Sequence, residues 1–161
     1  MNEELFNAIR EEDTDTIQSV LDNNPDLINS KDRRGSTPLL LATYFEQLET
    51  VKLLLSYHPD VNAKDTSGNT ALMGVCFKGF LPLAELLIAN GADVNARNFQ
   101  GATALIYAST FAKTAIVELL LKHGADVHVK DDRGNTALAH AKMQGIAPVI
   151  KILEEKMSSS T

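Results

Sequence analysis

Apolar and polar positions recur along the chain at a fixed interval. Gly35, Gly68, Gly101 and Gly134 lie 33 residues apart, and each opens the phrase Gly-x-Thr-x-Leu. Apolar residues then follow at helical spacing: Leu39 and Ala42, Leu72 and Val75, Leu105 and Ala108, Leu138 and Ala141. A break of small or polar residues comes next, around Glu46, Gly79, Ala112 and Gly145. Beyond it a second apolar stretch covers Val51 to Leu55, Ala84 to Ile88, Val117 to Leu121 and Ile150 to Leu153. The pattern predicts two short helices per unit, each with one apolar stripe. A unit of this size cannot bury its own apolar faces, so the units are expected to stack in a row.

The predicted boundaries carry signals of their own. A polar turn precedes each glycine, as in Asp32-Arg33-Arg34 and Asp65-Thr66-Ser67, where the backbone needs a positive φ. Thr37, Thr70, Thr103 and Thr136 stand where a hydroxyl caps the first helix, and Pro38 follows where a missing N–H is harmless. Pro82 and Pro148 fall in matching register at the opening turn of the second helix. Near the start, Leu5, Phe6, Ala8 and Ile9 form one apolar face, and Ile17, Val20 and Leu21 another. Five units are therefore expected, at 1–31, 32–64, 65–97, 98–130 and 131–157, in a single domain over 1–157. Residues 158–161, Ser-Ser-Ser-Thr, are expected to form a disordered, frayed tail.

These phrases, with closing turns such as Gly91-Ala92-Asp93-Val94-Asn95-Ala96, resemble ankyrin repeats. The resemblance covers 32–157 directly, and 3–31 is similar to the shortened first repeat of such arrays. It implies an all-α ankyrin-repeat solenoid of helix-turn-helix units joined by extended turns, and a protein that binds other proteins. The chain departs from the family pattern in one respect. The histidine that follows the Leu of the family phrase is here Leu40, Met73, Ile106 or Ala139, so apolar packing must replace its hydrogen bonds. Glu154, Glu155 and Lys156 make the end of the last helix polar, as suits a terminal cap.

Composition narrows the function classes. With 44% hydrophobic residues, 6% aromatic and no Trp, the core is expected to be aliphatic. A net charge of −6 argues against general affinity for nucleic-acid phosphates. The single cysteine, Cys76, excludes an internal disulfide, and Val75 and Phe77 beside it suggest a buried, reduced thiol. Glu3, Glu4, Glu11, Glu12, Asp13 and Asp15 are the reverse of a secretory leader. No apolar run reaches the roughly 18 residues that span a bilayer, and no basic amphipathic helix or lipidation signal is visible. The expected location is the cytoplasm, with the nucleus open by diffusion.

Catalytic chemistry is not expected. Of His58, His123, His128 and His140, only His123 and His128 are close in sequence, and no cysteine lies near to complete a metal set. Neither a phosphate-binding loop nor a nucleophile elbow is present. Asp32, Asp65 and Asp131 recur with the period, as do Asp60, Asp93 and Asp126, which points to roles in turns. No cofactor is expected.

In ankyrin arrays the turn tips and the exposed face of the first helix bind the partner. Carried onto this chain, the resemblance gives Arg33, Arg34, Lys64, Thr66, Arg97, Phe99 and Arg133 at the tips. It gives Tyr44, Phe45, Phe77, Lys78, Phe111 and Met143 on the helix face. The aromatics are expected to supply affinity, and the basic tip edge suits an acidic or phosphorylated protein segment. A monomeric binding module is expected; the alternative is a regulatory inhibitor or effector that occludes a partner enzyme.

Overall fold

In a computed structural model that describes residues 2–159, the chain folds into helical hairpins. The first hairpin pairs α1 (Glu3–Arg10) with α2 (Thr14–Asn23), followed by a 3₁₀ turn at Pro25–Asn29. The second pairs α3 (Pro38–Tyr44) with α4 (Leu48–Leu55), and the third α5 (Ala71–Lys78) with α6 (Leu81–Ala89). The fourth joins α7 (Ala104–Thr110) to α8 (Thr114–Lys122), and the fifth α9 (Ala137–Gln144) to α10 (Ala147–Ser159). There is no strand among the described residues.

Each first helix packs on the next first helix, from α1 through α3, α5 and α7 to α9. The second helices touch in the same order, from α2 to α10. The hairpins thus stand in sequential order in two rows, which is the all-α solenoid that the period predicts. Among the described residues no helix is long and apolar enough to cross a membrane.

Local chemistry sets these elements. The hydroxyls of Thr37, Thr70, Thr103 and Thr136 accept from the N–H groups of Leu40, Met73, Ile106 and Ala139, filling donors that a helix start leaves open. Each hairpin then turns through a left-handed residue: Glu12, Glu46, Gly79, Ala112 or Gly145. Leu39, Leu54, Leu72, Leu87, Leu105 and Leu120 are almost wholly buried in one continuous core. Burial of each contributes roughly 1.5–3 kcal/mol. Met73 and Ile106, at the missing histidine position, are buried as well.

The recurrent acids work in the turns. Oδ1 of Asp32 accepts from the N–H groups of Arg34 and Ser36, and Oδ1 of Asp65 from those of Ser67 and Asn69. Between units, Asn62 Oδ1 accepts from Asp93 N–H at 2.7 Å, and Asn95 Oδ1 from Asp126 N–H at 2.8 Å. At Gly68 the left-handed turn (φ 80°) meets Phe99, whose backbone N would lie 2.7 Å from any added Cβ. Glycine is required there by both conformation and space.

Two expectations change at the end of the stack. Helix α10 continues through Ser158 and Ser159, which the sequence reading placed in a tail; Ser160 and Thr161 lie outside the described residues. Leu138, expected to be core, is only half-buried, because α9 has a first-helix neighbour on one side alone.

Candidate functional site

Helices α3, α5 and α7, the tips before α3 and α5, and Arg10 of α1 line a cleft of about 820 Å³. Six of the thirteen residues proposed for partner binding lie along it: Arg34, Tyr44, Phe45, Thr66, Phe77 and Lys78. Tyr44, Phe45 and Phe77 are all exposed, although each belongs to a residue type that favours burial. Phe77 meets Phe111 edge-on with ring centroids 4.6 Å apart, and Tyr107 at 6.3 Å. Phe111 thereby extends the aromatic surface beyond the cleft.

The cations are less free than the sequence suggests. Lys64 donates to the Arg97 carbonyl at 2.8 Å, and Arg97 to the Lys130 carbonyl at 2.6 Å. Lys31 reaches the Lys64 carbonyl in the same way at 3.3 Å. Each side chain crosses one repeat and ties adjacent tips together, so Lys64 and Arg97 have a structural use. Lys78 donates to the Tyr44 carbonyl and lies 4.0 Å from the centre of the Tyr44 ring, a cation–π contact. Arg33 pairs with Glu3 at 3.5 Å while remaining almost fully exposed, a pairing worth little in water. Arg34 and Arg133 have no side-chain partner among the described residues.

Five nominated residues besides Arg33 and Phe111 lie away from the cleft. Lys64 and Phe99 line a smaller hollow beside the closing turns. Arg97 stays at its tip, while Arg133 and the exposed Met143 belong to the last hairpin.

The cleft also contains residues outside the nominated binding set, among them Arg10, Asp32, Asp65, Asn69, Gly74 and Tyr107. Of these, Gly74 and Tyr107 share one position, nine places after the turn residue of their units. That row reads Leu41, Gly74, Tyr107 and His140. In the fourth unit the turn residue is Asn98, whose Nδ2 donates to Tyr107 Oη at 2.9 Å. In the fifth, Asp131 Oδ2 meets His140 Nε2 at 2.7 Å. Burial alone would raise the Asp131 carboxyl, but hydrogen bonds from Asn135 N–H, His140 and Arg133 N–H hold it below its ordinary value.

Cys76 and the four histidines do not line the cleft. Cys76 is fully buried on α5, and burial pushes its thiol up to about 12. His123 ends α8 and His128 lies in the turn after it. Among the described residues no three His, Cys, Asp or Glu side chains come together as a metal set would.

Comparison with protein families gives a match to ankyrin repeats (3 copies) over residues 5–98 and 72–160. The chain belongs to the ankyrin-repeat family. Ankyrin repeats are in general protein–protein interaction modules and are typically noncatalytic. Comparison with curated proteins gives no match. The row Leu41, Gly74, Tyr107 and His140 lies on the first helices α3, α5, α7 and α9.

Proposed function

We propose that this ankyrin-repeat protein is a noncatalytic binding module that holds another protein against the cleft and the aromatic strip beside it. The observation that carries the reading is the exposed run of Tyr44, Phe45, Phe77 and Phe111 along an 820 Å³ cleft. Preformed helices lose little conformational freedom on association, so a modest contact area can still give useful affinity. Arg34 and Arg133, which have no side-chain partner among the described residues, favour a partner segment that carries acidic residues or phosphate. The protein acts as a monomer in the cytoplasm or nucleus.

The test is affinity capture with the wild-type chain and with a Phe77→Ala/Phe111→Ala variant, followed by mass spectrometry. Both rings are partly exposed, so the helical circular-dichroism signal should be unchanged. A set of proteins retained by the wild type and lost with the double variant supports the reading. Identical sets overturn it.

A further inference from the structure

The four turn residues Asp32, Asp65, Asn98 and Asp131 do the same backbone work, each accepting two N–H groups through Oδ1. Their second side-chain atoms do not share one fate. Asp32 Oδ2 faces the Arg10 guanidinium at 3.5 Å. Asn98 Nδ2 is satisfied by Tyr107 and by Asn69 Oδ1, and Asp131 Oδ2 by His140. Asp65 Oδ2 alone has no partner among the described residues, and the place from which Tyr107 and His140 reach their turns is held in its own repeat by Gly74.

Neither backbone nor packing calls for glycine at 74. Its φ is not left-handed, it lies inside α5, and an added Cβ would meet nothing within 4 Å. Glycine inside a helix is among the least favourable choices. What it does here is keep open the space in front of Asp65, between Leu41 and Tyr107 in the row and one helical turn from Phe77. All of these residues line the cleft.

We propose that this opening is a slot for one arginine side chain of the bound protein, whose guanidinium takes at Asp65 the place that Arg10 takes at Asp32. A planar guanidinium suits both a carboxylate and the neighbouring aromatic surface of Phe77 and Tyr107. Around this anionic point stand Arg34 and Lys78, so charge complementarity selects an arginine flanked by acidic residues. The inference rests on the proposed function and names the chemistry of its partner segment.

The experiment uses the full chain and two short peptides, one with a central arginine between aspartates and one with the neutral isostere citrulline in its place. Binding is read from amide NMR shifts. The arginine peptide should move the signals of Ser67, Asn69 and Gly74, and the citrulline peptide should bind about tenfold more weakly or worse. Asp65→Asn should abolish the difference while keeping the fold, because Asn98 already does the same turn work. Gly74→His should restore the pairing seen between His140 and Asp131, raise Tm by a few degrees and remove the arginine response.

Equal binding of the two peptides, or an arginine response that survives Asp65→Asn or Gly74→His, overturns the slot. Failure of the wider reading looks different. Captured proteins that need Phe77 and Phe111 but ignore Asp65→Asn refute the slot and leave the aromatic strip as the binding surface. An arginine response that needs Asp65, with capture indifferent to Phe77 and Phe111, supports the slot and refutes the aromatic strip.

Discussion

Cys76 lies on the same helix as Phe77 but on its buried side, and one position separates a surface ring from an unreactive thiol. With the thiol pushed up to about 12 by burial, almost none is thiolate at neutral pH, and thiolate is the reactive form. The native protein should therefore react with a disulfide reagent only as fast as it opens. Adding urea to the unfolding midpoint should raise the rate by orders of magnitude, and fast labelling without denaturant would show the thiol to be accessible. Ala112 offers a second case. It turns the fourth hairpin with φ 60° where Gly79 and Gly145 serve the third and fifth. The left-handed conformation costs an L-residue about 1–2 kcal/mol, and glycine's greater unfolded freedom returns roughly 0.5–1 kcal/mol of that. Ala112→Gly should thus stabilise by about 0.5 kcal/mol in urea titrations. Such positions were legible as breaks in the sequence, because small and polar residues interrupt the stripe. Their handedness was not, since Glu46 and Ala112 carry no sign of it in their type.

Four of the five first helices, α3, α5, α7 and α9, begin at a threonine cap, and the four caps have nearly the same geometry. Thr103 is buried and its hydroxyl accepts from Ile106 N–H at 3.3 Å. Thr103→Ala should cost about 1 kcal/mol, the usual loss for such a cap, while Thr103→Ser should recover most of it. The last first helix, α9, is also tied back to its turn by His140 and Asp131. Because the folded state holds the Asp131 carboxyl below its unfolded value, the ionised form favours folding. The contribution is complete above the ordinary carboxylate value, near pH 4, and is lost as pH falls through the lower folded value. Asp131→Asn should therefore flatten the fall of Tm between about pH 4 and 2 while leaving the neutral-pH helix content intact. An unchanged acid limb would place the stabilising carboxylates elsewhere. These elements were legible in the sequence because caps, prolines and apolar stripes are local signals. The ladder that Lys64 and Arg97 form was not legible, because their carbonyl acceptors lie one repeat away and a period alone does not show which atoms meet across it.

At the scale of the whole molecule, the sequential order of hairpins makes stability a sum over neighbours. The period made this architecture legible, since a unit that cannot bury its own stripe has only a stack available. The cleft was legible in part. Tyr44 and Phe77 announce it as aromatics on a helix face, whereas Asp65 and Gly74 become informative only beside the pairs formed by Tyr107 and His140. The same additivity yields a prediction about truncation. A chain ending before Asp131 lacks α9 and α10 and uncovers the faces of α7 and α8 that they cover. Leu105 and Ala108, buried on α7 in the intact stack, belong to the helix that would lose its neighbour. Loss of one hairpin of five should lower the urea m-value by about a fifth, since m follows the surface exposed on unfolding. Stability should fall by more than that share, because an interface goes as well as a hairpin. The cleft lies mainly between the second and fourth hairpins, so the arginine peptide should still move the Gly74 signal in the truncated chain. A truncated chain that kept the full m-value, or lost all helical signal, would show that the hairpins fold as one indivisible body rather than as a row of neighbours.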